Sequence, residues 1–411
     1  MKKTLAILLA LVMVVACFAA CGPKDTATNG TGDPTPNVDN TPAEGGNEGN
    51  PAPASGEVYK IGGTGPLTGR AAIYGNAAKN GAAIAVEEIN ALGGIQFELR
   101  YEDDEHEPEK AVNAYNALKD WGIQISLSSV TSGPAVATSA ESFDDRLFAL
   151  TPSASAVEVV AGNDNTFQMC FTDPNQGSAS AQYIFDNQLG TKIAIIYKND
   201  DVYSTGIYNT FVKKAGELGL EVVSVTTFTE DSQNDFSVQI TDAQSKGADL
   251  VFLPMYYTPA SLIFQQAAAV GYAPKYFGVD GMDGILTLDG FDTSLAEGVM
   301  LLTPFNADAT DARTISFVAK YQEKFGEVPN QFAADGYDCV YAIYEAIIAS
   351  EGAINADMGS GLICEELIAI FTGGFSFDGL TGDAMTWSAT GEVTKNPKGM
   401  IIINGAYVGM D

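Results

Sequence analysis

The sequence predicts an α/β protein made of two doubly wound, Rossmann-like lobes joined by three crossover strands. From Val58 onward, short apolar runs alternate with segments whose apolar residues recur at helical spacing, the pattern of a parallel sheet covered on both faces. This alternation occurs twice, with a break near Thr172, so it describes two sheets. The 411 residues, 46% hydrophobic and 18% charged, are enough to fill two domain-sized cores.

Before the first strand the chain has a different character. Lys2 and Lys3 precede an apolar run, Leu5 to Val15, that ends in small residues and cysteines, "VVACFAAC". The run is short for a bilayer span, and the order basic, apolar, small reads as an export signal over residues 1–21. Residues 22–56 are rich in Gly and Pro, hold no aromatic residue and include only Val38 as a large aliphatic. Such a segment buries too little apolar surface to offset ordering entropy, and is expected to be a flexible tether.

The first lobe is expected over 57–172 plus 304–377. "VYKIGG" is a strand, and Ala78, Ala82, Ala85, Ile89 and Leu92 then mark one face of a helix. "FELRYE", a helix from Pro108 to Trp121, "IQISLS", a helix after Pro134 and "LFALT" follow. The second lobe is expected over 173–303 plus 378–411. Its units are a helix after Asn175, "KIAIIYK", a helix from Tyr203 to Leu218, "LEVVSVTTF", a helix over Phe236–Ser245, "ADLVFLP", a helix from Pro259 to Val270, "KYFGV" and "GVMLLTPF". Residues Asp311 to Phe371 read as helices covering the first lobe, and "GDAMTWSATGEVTK" with "GMIIING" alternates as a hairpin does. Crossings near Thr172, Pro304 and Phe377 would leave two sheet edges facing each other across a cleft that closes by hinge motion.

Several functions are excluded by simple chemistry. A net charge of −31 supplies no basic patch for nucleic acid. Cys170, Cys339 and Cys364 are an odd number without close spacing, which supports neither a metal site nor a disulfide framework; they read as small buried hydrophobes. The loop "IGGTGPLTGRAAIYGN" carries five glycines, but the third glycine of the dinucleotide fingerprint is replaced by Thr68 and no Walker lysine follows, so no nucleotide cofactor is expected. His106 is the one histidine and lies in "YEDDEHEPEK", an exposed charge run by its composition; no Gly-x-Ser-x-Gly elbow is present. Carboxylates are numerous enough to leave room for a glycosidase pair by count, yet nothing positive points to turnover, and no enzymatic role is expected.

The residues around Cys21, followed by Gly22, Pro23 and Lys24, resemble a bacterial lipoprotein processing site, which implies lipidation of Cys21 and an extracytoplasmic protein anchored to the cell membrane. Phe18 is unusual for that pattern and Cys17 also fits it, so Cys17 and a plain cleaved signal stay open as alternatives. "GPLTG", "YG", "GAAIAVEEINALGGI", "YEDDEHEPEKAV", "TPSAS", "KNDDVYSTG", "FGVDG" and "GYDCVYAIYEAI", in this order, resemble the leucine/isoleucine/valine-type solute-binding proteins of ABC transporters, with the type I periplasmic-binding fold. The resemblance runs from about Val58 to the C-terminus and implies an amino-acid ligand, branched-chain or otherwise apolar, and ABC permease subunits as partners.

The same resemblance implies the site. Ser132 and Ser155 match positions that donate to the ligand carboxylate, the second from both hydroxyl and backbone N–H. Asp280 matches the acid facing the ammonium group, with the backbone carbonyl of Ser153 beside it. Tyr203 is implied as a cleft tyrosine of the second lobe, and Tyr74, Tyr257 and Phe332 as walls of the side-chain pocket. Asp stands at 280 where Glu is commoner, and Thr131 and His106 stand where some relatives carry cysteines. Without the resemblance, serines at strand–helix junctions read as helix caps and an Asp between glycines as a turn former. Two further uses stay open: a ligand-sensing receptor of the same fold, and transport of another small solute such as an amide or short peptide.

Overall fold

The computed structural model describes residues 56–410. The expected export signal, Cys17 and Cys21 and the tether up to residue 55 lie outside the described residues. The chain runs β1 (Val58–Gly65), α1 (Ala72–Ala91), β2 (Gln96–Asp103), α2 (Pro108–Trp121), β3 (Ile125–Ser129), α3 (Ser132–Asp144), β4 (Ala149–Thr151) and β5 (Thr166–Gln168). These five strands form one parallel sheet in the order β2-β1-β3-β4-β5. Every residue of β3 is buried, as a strand covered on both faces requires. Local chemistry sets the ends of α2: Pro108 stands in its first turn, and Gly122 closes it in the left-handed region at φ 90°.

The second lobe continues with α4 (Asp173–Asp186), β6 (Ile193–Lys198), α5 (Val202–Leu218), β7 (Val222–Phe228), α6 (Ser237–Ser245), β8 (Leu250–Leu253), α7 (Tyr257–Ala269), β9 (Lys275–Gly278) and β10 (Met300–Thr303). Three helices then return to the first lobe: α8 (Ala312–Phe325), α9 (Gln331–Ala349) and α10 (Ser360–Thr372). β11 (Lys398–Ile403) and β12 (Ala406–Gly409) finish a seven-stranded sheet in the order β12-β11-β10-β9-β8-β6-β7. Its last two strands run antiparallel.

The alanine stripe of α1 has its explanation in α9. A Cβ added at Gly81 would lie 1.8 Å from the Ala333 carbonyl oxygen, and one at Gly336 would lie 2.2 Å from that of Ala78. The two helices therefore meet backbone to backbone, which larger side chains at these positions would prevent. Glu88 of α1 ties the same layer at its margin, accepting from Lys320 Nζ at 3.0 Å and from the hydroxyls of Tyr337 and Tyr341 at 2.6 and 2.9 Å.

The third crossing departs from the expectation near Phe377. Residues 377–393 stay with the first sheet: Phe377 pairs with Met385 and Trp387 with Val393. Trp387 Nε1 donates to the Gln168 carbonyl at 2.8 Å, and Gln168 N–H to the Gly391 carbonyl at 2.9 Å. Burial of the Trp387 ring against Phe371 and Phe375 of the first lobe holds this hairpin there. The segment 378–393 thus belongs with the first lobe, and the chain reaches the second sheet at Lys398. The alternating terminal stretch is two separate hairpins, the second being β11–β12.

Cys170, Cys339 and Cys364 are buried free thiols. Among the described residues, no helix is long and apolar enough to cross a membrane.

Gly81→Ala should lower stability by about 1–3 kcal/mol, the range for overpacking a close contact. Gly216→Ala, on an exposed stretch of α5 where an added Cβ meets nothing within 4 Å, should raise it by up to about 1 kcal/mol. Urea unfolding of both variants checks the assignment; equal effects would mean that α1 and α9 are not in backbone contact.

Candidate functional site

The carboxyl ends of the two sheets face each other, and the residues that follow the strands line a small, tightly closed cavity. From the first lobe come Tyr74 of α1, Val130, Thr131 and Ser132 at the start of α3, Ser153 after β4, and Phe332 in the first turn of α9. From the second come Tyr203, Tyr256, Asp280 and Gly281. Asp280 is 2% exposed and Tyr74 fully buried, so the lobes are closed on each other here.

Each position has a local cause. Asp201 caps α5 by accepting from Ser204 N–H, which puts Tyr203 in the first turn with its ring toward the cleft. The Tyr203 hydroxyl donates to Asp280 Oδ1 at 2.5 Å and accepts from Gly281 N–H at 2.9 Å. Gln176 Oε1 accepts from Asp280 N–H at 3.3 Å, and Gln331 Nε2 donates to the Asp280 carbonyl at 3.3 Å. The carboxylate is held by α5, and the backbone that carries it by α4 and α9. Across the cavity, Tyr74 donates to the Gly281 carbonyl at 2.5 Å and accepts from Tyr257 N–H at 3.2 Å, which bolts the first lobe to the second.

On the opposite wall stands the start of α3, whose first-turn N–H groups have no helix carbonyl to bond. The hydroxyls here are not spent on capping. Thr131, the N-cap, makes no side-chain cap bond, and its Oγ1 pairs with His106 Nδ1 at 2.8 Å. Ser132 Oγ accepts from Ala156 N–H at 3.2 Å, which leaves its own proton to donate. Ser153 gives its hydroxyl to the Val130 carbonyl at 2.6 Å.

Electrostatically the cavity is divided. Burial pushes the Asp280 carboxyl up to about 6, against the pull of the Tyr203 hydroxyl. Burial, and then the charge of Asp280, raises the Tyr203 phenol well above its ordinary value. Asp173 is raised by burial as well, against its bond from Ser155. No Lys or Arg lines the cavity, so the wall around Asp280 lacks a cation while the α3 wall offers donors.

Of the residues implied from the sequence, Ser132, Ser153, Asp280, Tyr203, Tyr74 and Phe332 come together on this cavity. Ser155 does not. It is fully buried at the first crossing, where its hydroxyl donates to Asp173 Oδ1 at 2.7 Å and its carbonyl accepts from Asp173 N–H at 2.9 Å. Tyr257 stands behind the wall: its ring lies edge-on to Tyr74 at 4.8 Å and its hydroxyl accepts from Ile73 N–H at 3.3 Å. The neighbouring Tyr256 lines the cavity instead, stacked on Tyr203 at 4.7 Å and 9°. Two adjacent tyrosines at a helix start point in different directions, and only the start of α7 decides which faces the cleft. His106 is half-buried and not part of a solvated run. Its backbone stands at φ 65°, its N–H donates to Asp104 Oδ1 at 2.9 Å, and its ring meets Tyr256 edge-on at 5.2 Å. Burial lowers its pKa. Tyr256 and Thr131 are lining residues that sequence reasoning passed over; "PMYYTP" held the first but gave no means of choosing it.

The buried acids set the pH dependence of stability. Asp280 and Asp283 are pushed up to about 6 and Asp104 to about 7, all chiefly by burial. Their folded values exceed the unfolded one, so the native state holds more protons between about pH 4 and 7. Their contribution is fully present below that window and is lost as pH rises through it. The urea midpoint should fall from pH 5 to pH 7.5. Asp280→Asn should flatten the slope, and Tyr203→Phe should extend it to higher pH by removing the donor to Asp280. An unaltered profile in Asp280→Asn would show that this carboxyl is not strained by burial.

Comparison with known proteins follows the same lines. Residues 58–397 match the profile of the periplasmic binding protein family. The chain is 32% identical over 226 residues to Leu/Ile/Val-binding protein homolog 3 of Brucella melitensis, covering 54% of this chain and 61% of that protein. It is 31% identical over 235 residues to Leu/Ile/Val-binding protein BraC3 of Rhizobium johnstonii, covering 56% and 64%. These matches span a little under two thirds of the relatives' own length. The crystal structure of the leucine binding protein LivK from Thermotoga maritima superposes with a TM-score of 0.76 at 27% identity, over 86% of this chain and 98% of that one. The branched-chain amino acid transporter substrate binding protein LivJ from Streptococcus pneumoniae, in complex with isoleucine, is similar with a TM-score of 0.76 at 27% identity, over 86% and 100%.

Proposed function

This chain belongs to the periplasmic binding protein family, and from that premise we propose that it is an extracytoplasmic solute-binding protein of an ABC transporter, closing its lobes on an apolar α-amino acid and delivering it to the permease. In this reading it is a receptor without catalytic activity, held at the membrane by lipid on Cys21.

The observation that carries the reading is Asp280: a carboxylate buried between two lobes, hydrogen-bonded but without a cation, opposite a helix N-terminus where the Ser132 hydroxyl keeps its proton to donate. A free amino acid answers both walls. Its ammonium group meets Asp280 and the Ser153 carbonyl, and its carboxylate meets the Ser132 hydroxyl and the first N–H groups of α3. Burying either charge without such partners would cost several kcal/mol, so the pair of walls selects a zwitterion. Tyr74, Tyr203, Tyr256 and Phe332 leave apolar ring surface for the side chain. The names of the relatives, which specify Leu/Ile/Val binding, support the same choice. Because Asp280 comes from one lobe and Ser132 from the other, the ligand itself joins the lobes, and closure follows from binding.

A thermal-shift screen of the protein against the twenty amino acids, amides and short peptides tests this directly. A ligand at about a hundred times its dissociation constant stabilises the native state by roughly 2.7 kcal/mol. Leucine, isoleucine or valine should raise the transition; a response confined to other solutes would overturn the amino-acid reading.

Removing Asp280 as Asp280→Asn should weaken amino-acid binding by about 1.5–3 kcal/mol, roughly 10- to 150-fold. Since burial pushes the carboxyl up to about 6 and the ammonium needs its charged form, wild-type affinity should fall as pH drops below that value, and Asp280→Asn should lose this dependence. Titration calorimetry at pH 5 and pH 7.5 decides it; equal wild-type affinity at both would remove Asp280 from the ammonium site.

A further inference from the structure

The donor wall of the cleft is short of backbone N–H groups at the start of α3. Pro134 stands third in that helix and has no N–H, and the N–H of Ala135 is already bonded to the Thr131 carbonyl at 3.0 Å. The first turn therefore offers an anion the N–H groups of Ser132 and Gly133 only, beside the Ser132 hydroxyl. A carboxylate has two oxygens and accepts about four hydrogen bonds, so three donors leave one place unfilled.

Thr131 stands at that place. It is 3% exposed, lines the cavity, makes no cap bond to its own helix, and its Oγ1 lies 2.8 Å from His106 Nδ1. A hydroxyl has one proton, and His106 governs where it goes. Neutral imidazole carries its hydrogen on one nitrogen. With the hydrogen on Nε2, the bare Nδ1 takes the Thr131 proton, and the hydroxyl turns lone pairs to the cavity, where they would repel a carboxylate. With the hydrogen on Nδ1, the ring donates to Thr131, whose own proton is free to point at a ligand.

The chain around His106 holds the ring in position. Glu105 and His106 stand in the left-handed region at φ 49° and 65°, and the carboxylates of Asp103 and Asp104 fix that turn by accepting from their N–H groups at 3.0 and 2.9 Å. Tyr256 of the second lobe meets the ring edge-on at 5.2 Å, so the imidazole is clasped when the lobes are together. Among the described residues Nε2 has no hydrogen-bond partner that would keep the hydrogen there.

On the reading that the cleft binds a free amino acid, we propose that Thr131 is a further donor to the ligand carboxylate and that His106 is its positioning residue: in the complex the ring carries its hydrogen on Nδ1 and so leaves the Thr131 proton to the ligand.

His106 is the one histidine of the sequence, so nitrogen NMR of the untagged full chain, labelled with 15N in histidine, reads this ring alone. At pH 7.5, where burial keeps the imidazole neutral, saturation with leucine should give Nδ1 the signal of a protonated ring nitrogen and Nε2 that of a bare one. Calorimetry of variants supplies the second arm. Thr131→Val should weaken leucine about tenfold, as for the loss of a donor to a charged group. His106→Asn and His106→Asp both tolerate the left-handed backbone, but only the amide can donate to Thr131, while the carboxylate takes the Thr131 proton. His106→Asn should stay within about threefold of wild type, and His106→Asp should weaken leucine about tenfold. In a Thr131→Val background His106→Asp should cost less than about threefold, since only charge repulsion then remains. If a variant does not fold, the wild-type spectrum carries the test. The proposal is overturned if the leucine complex holds its hydrogen on Nε2, if Thr131→Val binds leucine as wild type does, or if His106→Asp costs the same in both backgrounds. Those outcomes leave the amino-acid reading standing; failure of leucine, isoleucine and valine to bind the wild-type chain at all would overturn both.

Discussion

Burial of the Asp280 carboxylate between two lobes is the constraint on which the rest of the site depends. Taken out of water, it is pushed toward its neutral form, and its compensation must come from nearby donors. The Tyr203 hydroxyl supplies one, while Gln176 and Gln331 hold the backbone that carries the acid. Those three side chains belong to α5, α4 and α9, and the last is part of the first lobe's covering. The environment of Asp280 is complete only when the lobes are together. An acid that is badly solvated in the closed cleft and lacks a cation is suited to receive an ammonium group, the role the proposed function gives it.

The aromatic wall opposite is built by backbone packing two turns away. Tyr74 and Phe332 stand in the opening turns of α1 and α9, with ring centroids 4.4 Å apart. The same two helices are in backbone contact at Gly81 and Gly336. Glycine there is not a matter of chain flexibility; it sets the helix separation, and the separation sets where the rings sit. The Tyr74 hydroxyl then reaches Gly281 of the other lobe. A packing decision in the core of one lobe is transmitted to the hydrogen bond that joins it to its neighbour.

The crossings use buried polar groups as well. At the third, Lys395 and Asp335 form an ion pair at 3.1 Å with both side chains out of solvent, and Lys395 also donates to Thr381. At the first, Ser155 and Asp173 are bonded twice. Such pairs add little net stability, because desolvation offsets most of the attraction, but a misaligned partner would be left charged and alone. Polar ties at hinge segments favour defined closed geometries over loose ones.

The alternation of strand and helix from Val58, its repetition after Thr172 and the alanine face of α1 were legible in the residues, because local periodicity is a property of neighbours in the chain. Family likeness added Asp280, Ser132 and Tyr203, which no spacing rule would have selected. What the sequence could not supply was direction. Whether Tyr256 or Tyr257 faces the cleft depends on where α7 begins; whether Ser155 meets a ligand or Asp173 depends on how the chain crosses between lobes; and whether Trp387 stays with the first lobe depends on a pocket made by Phe371 and Phe375. His106 shows the same limit: six acidic neighbours in the chain suggested solvent, while Thr131 and Tyr256, distant in sequence, half-bury it. The sequence by itself determined the two-lobed α/β architecture, since periodicity and turn chemistry are local. Only the tertiary structure decided which polar groups are buried without partners, because burial is created by residues far apart in the chain, and it is burial that gives Asp280 its chemistry.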